Sequence, residues 1–207
     1  MRFITKLLPI ALLAMTFFSS CEEVSEESKY DNWQERNEDF ISEVAAATGE
    51  SYVATLEQAV NIPVGKLFAI KDQSISTTEK TVYIYCKKLR SVADGRRPLS
   101  TEGVNCFYCG SLITGDVFDK NFDGYLSTDE GVLDGTKRLP SEFCSPTTFM
   151  VGGSVISGWT AALQYMREGE RWMVYIPWNA AYGENTTNGI MGYSSLTFDI
   201  ILDKVID

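Results

Sequence analysis

The chain of 207 residues contains no histidine. That absence alone excludes a Ser-His-Asp triad, a Cys-His nucleophile pair and any metal site built on imidazole. Positive charge is also scarce. Eighteen Lys and Arg stand against 28 Asp and Glu, a formal net charge of −10, which becomes −12 without Arg2 and Lys6 at the start of the chain. Nucleic-acid phosphates demand a basic face, so a nucleic-acid partner is excluded. Long apolar runs are nearly missing too. The exception, residues 7–18, is too short for a comfortable transmembrane span.

What is there begins with that run. A basic start, Met1-Arg2-Phe3-Ile4-Thr5-Lys6, followed by an apolar stretch is the layout of a secretory signal. It ends in Phe17-Phe18-Ser19-Ser20-Cys21, which resembles a bacterial lipobox with Phe18 where leucine is usual. The resemblance implies a lipoprotein signal peptide over 1–20 and Cys21 as a lipidated N-terminus. The protein would then be held at the bacterial cell envelope, on the periplasmic face or the cell surface. Several acyl chains anchor firmly where one binds only marginally. A cleaved signal with an incidental cysteine is the competing reading. Residues 21–30, rich in glutamate, read as an acidic tether.

From 31 to 62 the pattern is helical, an N-terminal extension. Asp31 or Asn32 is placed to cap a first helix, Trp33, Phe40, Ile41 and Val44 form its stripe, and Gly49 closes it. A weaker helical stretch, 51–60, stops before Pro63. Residues 66–71 and 81–89 carry the Val, Ile and Tyr content of strands.

The stretch 155–182 organises the rest. Val155-Ile156 precedes a break at Gly158, and Trp159, Ala162, Leu163 and Met166 then fall on one helical face. Gly169 is expected to end that helix. Trp172-Met173-Val174-Tyr175-Ile176 reads as a strand stopped by Pro177. By residues alone this is a short helix lying on a sheet.

The order of residues resembles FKBP-type peptidyl-prolyl isomerases. Val155-Ile156-Ser157-Gly158-Trp159 matches the turn that opens that family's central helix, and Ile176-Pro177-Trp178-Asn179-Ala180-Ala181-Tyr182-Gly183 matches its I-P-x-x-x-A-Y-G. Upstream, Tyr108, Gly110, Leu112, Gly115, Phe118 and Asp119 fall in register with V-x-x-x-Y-x-G-x-L-x-x-G-x-x-F-D. Leu196-Thr197-Phe198-Asp199-Ile200-Ile201-Leu202 resembles the last strand. The implied fold is α+β, an antiparallel, curved sheet wrapped around a short central helix. It would span 63–207, with an insertion at 120–145.

That insertion carries a second pattern. Asp119, Asn121, Asp123, Ser127 and Glu130, with Gly124 and the Tyr125 carbonyl, fit a twelve-residue EF-hand calcium loop. A strand pattern precedes it instead of a helix, and Asp119 is claimed by both motifs. The alternative is an acidic, turn-rich insertion, in which Arg138 is a candidate partner for Asp119. Cys106-Phe107-Tyr108-Cys109 is a C-x-x-C, but residues three apart on a strand face opposite sides and bridge poorly. Pairing among Cys86, Cys106, Cys109 and Cys144 stays open.

The resemblance implies proline isomerisation, which needs no nucleophile, cofactor or metal. Trp159 would be the pocket floor. Tyr108, Phe118, Val155, Ile156, Ile190 and Phe198 would supply walls. Tyr182 and the Ile156 N–H would donate to ligand carbonyls, and Asp119 would act on the twisting carbonyl or on Tyr108. Partners would be proline-containing segments of exported polypeptides, with oligomeric state left open. Two departures mark the rim: Thr147 stands before Phe149 of P-x-x-F where an aromatic is common, and Ile190-Met191-Gly192 replaces I-P-P. The alternative is therefore a non-catalytic binding or chaperone module of the same fold.

Overall fold

The structure, a computed structural model, describes residues 29–129 and 131–206. The signal-peptide reading of 1–20, Cys21 and all but the end of the tether lie outside the described residues, as does Glu130. Among the described residues no helix is long and apolar enough to cross a membrane.

Eight strands form one sheet: β1 (Tyr52–Val53), β2 (Leu67–Lys71), β3 (Tyr83–Arg90), β4 (Gly103–Ser111), β5 (Val117–Lys120), β6 (Thr147–Met150), β7 (Arg171–Ile176) and β8 (Leu196–Ile206). The order is β1-β2-β3-β7-β8-β4-β5, and β6 also pairs with β4. Only β1–β2 is parallel. Register shifts at Lys88/Arg90, Asn105/Cys106 and Gly110/Ser111 bend the strands. The curved, largely antiparallel sheet is the one the resemblance implied.

Strand alternation sorts the side chains by face. Trp172, Val174 and Ile176 of β7 point one way, with Ile200, Phe198 and Leu196 of β8 opposite them in register. The central helix, α3 (Ser157–Leu163), lies on this inner face. Gly158 sits inside its first turn and does not break it. A Cβ there would come within 2.5 Å of Ile176 Cγ2, so glycine permits the close approach of helix to sheet. The helix ends at Leu163, earlier than the expected Gly169, because Met166 N–H is drawn to both Ala162 O and Leu163 O at 3.2 Å. Met166 nonetheless stays in the core, and Gly169 serves the turn into β7.

The outer face, carrying Arg171, Met173 and Tyr175, is covered twice. At one end lies α1 (Trp33–Thr48), packed on β2, β3 and β7, with Phe40 against Tyr175 at 6.2 Å between ring centroids. Its first residue follows Asn32, whose side chain makes no cap, contrary to expectation. The expected second helix is also shorter. Tyr52 and Val53 are instead taken by β2, and a Thr55–Gln58 capping box starts α2 (Leu56–Asn61). The C-terminal carbonyls of α2 receive Lys88 Nζ, at 2.6 Å from Ala59 O, a buried ammonium whose pKa desolvation lowers.

At the other end the insertion folds onto the sheet. Phe122 packs with Cys109 and Ile201, and Tyr125 packs with Leu89 and Met173. Beneath them, Arg171 and Asp199 form a buried two-pronged ion pair. The guanidinium also donates to Lys137 O at 2.6 Å and Arg138 O at 3.2 Å, and Asp199 Oδ2 accepts Tyr125 N–H at 2.8 Å. Arg138 pairs with Asp129, at 2.8 and 3.0 Å, and not with Asp119.

The candidate calcium donors are thereby dispersed. Asp119 accepts the Tyr108 hydroxyl, Asn121 binds the Tyr108 N–H and Cys106 O, Asp123 meets Lys120, and Ser127 bonds to Ser111 and Leu112. Gly124 is explained by contact, since a Cβ there would lie 2.8 Å from Asp199 Oδ2. Among the described residues no three acidic or thiol side chains gather as a metal site. Cys86, Cys106, Cys109 and Cys144 are free thiols among the same residues.

Candidate active site

Five elements and one loop converge on a cavity of about 330 Å³. Alternation on β4 puts Tyr108 and Gly110 on the same face. The neighbouring β5 brings Phe118 and Asp119, β6 brings Phe149, and β8 brings Phe198. Val155 and Ile156 lead into α3, Trp159 sits in its first turn, and Tyr182 follows the 3₁₀ turn Trp178–Ala180.

The floor is Trp159, 3% exposed. Its ring meets Tyr108 at 5.5 Å, Phe149 at 5.1 Å and Phe198 at 5.2 Å, each edge-on or steeply tilted. Phe118 stands perpendicular to Phe198 at 5.4 Å. Such edge-to-face sets contribute about 0.5–1.5 kcal/mol per pair beyond burial and hold ring angles fixed. Gly110 makes the corner possible, because a Cβ there would approach both Phe118 and Phe198 to 2.7 Å.

Polar groups edge this box. Tyr108 Oη donates to Asp119 Oδ2 at 2.8 Å. Burial, then the Asp119 bond, raises the phenol pKa well above its ordinary value, so the hydroxyl stays protonated and keeps donating. Tyr182, 38% exposed, stands at the mouth. Burial foremost, then the charge of Asp119, raises its pKa as well, leaving a neutral phenol able to donate. Ile156 caps α3, and its N–H precedes the first helical turn, so no helical carbonyl can accept it. The indole Nε1 of Trp159 is buried and has no acceptor among the described residues.

Eight of the nine residues named from the sequence therefore line one cavity: Tyr108, Phe118, Asp119, Val155, Ile156, Trp159, Tyr182 and Phe198. Ile190 does not. Its backbone closes a tight turn with Thr187 through paired 2.9 Å bonds, and its side chain is buried away from the lining. Phe149, Gly153 and Ser154 line the cavity instead. Phe149 was within reach of sequence reasoning, since it ends the P-x-x-F match. Beside it Thr147 accepts Asn121 Nδ2 at 3.1 Å and leaves the wall.

The altered closing segment is ordered by different contacts. Tyr193 takes a positive φ of 61°, donates its N–H to Gly183 O at 2.9 Å, and meets Trp178 edge to face at 5.0 Å.

The fold agrees with what known proteins show. The sequence profile of the FKBP-type peptidyl-prolyl cis-trans isomerase family matches residues 95–203, more than half of the chain. The chain belongs to that family. It is 37% identical over 113 residues to the macrophage infectivity potentiator of Trypanosoma cruzi, covering 54% of this chain and 47% of that one. It is 34% identical over 119 residues to the outer membrane protein MIP of Legionella longbeachae, covering 57% and 42%. The chain thus spans less than half the length of these relatives. A peptidyl-prolyl cis-trans isomerase from Pseudomonas syringae has the same fold, with a TM-score of 0.51 at 23% identity, over 86% of this chain and 96% of that one.

Proposed function

We propose that the protein is a peptidyl-prolyl cis-trans isomerase that binds proline-containing segments of exported polypeptides in the Trp159 pocket. The observation that carries the reading is the closed aromatic box over Trp159, with the Tyr108–Asp119 bond at its edge.

Rotation about a prolyl amide faces a barrier of roughly 20 kcal/mol, because it destroys the partial double bond. The twisted state loses resonance and with it charge separation across C–N. A dry pocket of ring edges therefore disfavours the planar, more polar ground state relative to the twisted one. Trp159 supports the proline ring, and Tyr108, Phe118, Phe149 and Phe198 exclude water around it. Tyr182 and the Ile156 N–H hold the flanking carbonyls. Asp119 fixes the Tyr108 hydroxyl. No covalent step, cofactor or metal takes part in this account.

The same reading makes the chain an envelope protein, with residues 1–20 a lipoprotein signal peptide and Cys21 its lipid anchor, 21–30 a tether and 31–62 an extension. The lipobox-like Ser19-Ser20-Cys21 supports this. So does the Legionella relative, which is named as an outer membrane protein. A protease-coupled assay on a proline tetrapeptide tests the activity, with Trp159→Ala and Tyr182→Phe as comparison proteins. Labelling with a radioactive fatty acid, lost in Cys21→Ala, tests the anchor.

A further inference from the structure

The loop that carries Tyr182 is closed at its base by Tyr193 N–H on Gly183 O and by the edge-to-face contact of Trp178 with Tyr193. The chain leaves it through Ser194 and Ser195, both buried. There it meets α1, more than 150 residues earlier in sequence. Trp33 Nε1 donates to Ser194 Oγ at 3.0 Å, and Ser194 Oγ donates onward to Met191 O at 2.6 Å. Asn37 Oδ1 accepts the Ser195 N–H at 2.7 Å, while its Nδ2 donates to Trp33 O at 2.7 Å and so fixes the amide's orientation. Asn37 is fully buried, and an amide there without these partners would be costly.

The bonds cross a gap in the packing. Between α1 and the base of the loop lies a cavity of about 260 Å³, bordered by Asn37, Ile41, Lys80, Trp178, Asn179 and Ser195. Across this gap the Asn37 and Trp33 hydrogen bonds join helix to loop.

We propose that Asn37 and Trp33 are positioning residues for the pocket: they pin the exit of the 183–193 loop and so hold Tyr182 at the pocket mouth. Neither touches the cavity over Trp159. The proposal rests on the isomerase reading for its consequence in turnover, though not for its structural content. Weakened pinning lets Tyr182 and the rim sample positions from which the ligand carbonyl is not held, which lowers peptide affinity more than it lowers turnover of bound peptide.

The test compares the wild type with Asn37→Ala, Trp33→Phe, Ser195→Ala and Phe40→Ala in the full chain. Amide hydrogen exchange over 182–195, tetrapeptide affinity by tryptophan fluorescence, and kcat and KM by the coupled assay are measured at a temperature where all are folded. Asn37→Ala and Trp33→Phe should exchange faster at Tyr193 and Ser195 and lose affinity by about three- to tenfold, with the kinetic loss falling in KM. Ser195→Ala keeps the N–H that Asn37 accepts and removes only the longer Ser195 Oγ to Asn37 O bond at 3.4 Å, so it should lose clearly less affinity than Asn37→Ala. Phe40→Ala loosens α1 against Tyr175 without touching the loop, and should lower stability while leaving exchange and affinity in 182–195 unchanged. Equal effects of Asn37→Ala and Phe40→Ala, or unchanged exchange and affinity in Asn37→Ala, would overturn the proposal. If the wild type binds peptide without turning it over, the isomerase reading fails, and exchange and affinity still decide the positioning role.

Discussion

Arg171 and Asp199 face each other across β7 and β8 with both side chains wholly buried, Nε to Oδ1 at 2.9 Å and Nη2 to Oδ2 at 2.5 Å. Their spare hydrogen-bonding capacity goes to the insertion. The guanidinium holds carbonyls at 137 and 138, and the carboxylate holds the Tyr125 N–H. Phe122 and Tyr125 lie over the guanidinium at 5.5 and 5.1 Å. Removing one partner leaves the other charged and dry. Arg171→Ala should therefore cost about 3–5 kcal/mol, as breaking buried pairs does. Urea unfolding reads this, and proteolysis within 120–145 should accelerate in step. A loss under 1 kcal/mol would mean that the insertion is not held by this pair.

The Tyr108–Asp119 bond should matter to turnover more than to folding. Asp119 is solvent-exposed, so water replaces the lost bond in Tyr108→Phe. A neutral-to-charged bond at such a site contributes on the order of 1 kcal/mol. Either Tyr108→Phe or Asp119→Asn should lower kcat/KM by about fivefold with little change in melting temperature. The double variant should lose little more than Tyr108→Phe alone, since without the phenol there is no bond left for Asp119→Asn to weaken.

Gly110→Ala should be more damaging than its size suggests. Its methyl would meet Phe118 and Phe198 together, at 2.7 Å each, and both are ring walls. Crowding of this kind costs about 1–3 kcal/mol. The expected outcome is a folded protein with a lower melting temperature and tetrapeptide affinity reduced at least tenfold, read by fluorescence titration.

Without histidine, neither activity nor stability should step between about pH 6 and pH 8. Stability should fall on the alkaline side. Burial raises the Cys86 and Cys106 thiols above the ordinary 9.0, raises Tyr108 above 10.0, and pushes Tyr175 up to about 12. Each group holds its proton more tightly folded than unfolded. Its contribution is therefore complete below the unfolded value and shrinks as pH rises through the folded one. Thermal melts should begin to drop near pH 9 and fall further beyond 10. A melt that is flat to pH 11 would contradict the burial of these groups.

The pocket was legible in the sequence to the extent that its residues come in fixed local order. Tyr108, Phe118, Asp119 and Trp159 were found through the resemblance to the family motifs, whose spacing is kept because each motif is one strand-turn-strand or one helix start. Phe149 ends the P-x-x-F match, yet that match alone did not say which face of a short strand its ring takes. The insertion left two readings open for a physical reason. Acidic oxygens, a glycine and spaced aromatics suit both a calcium loop and a segment folded onto a sheet, and only the partner decides. That partner, Arg171 with Asp199, lies on two strands distant from the insertion in sequence, and no local pattern links them to it. Asn37 was equally silent, since a buried amide in a helix is recognised only by what it holds. Ile190 was misplaced because the closing loop lacks the prolines that set its course in the family pattern.

The most direct measurement is the protease-coupled turnover of a proline tetrapeptide by wild type and Trp159→Ala at micromolar protein. The account expects a wild-type rate well above the uncatalysed one, a loss of at least tenfold in Trp159→Ala, and a smaller loss in Tyr182→Phe. No acceleration by the wild type, or equal rates for all three proteins, would contradict it.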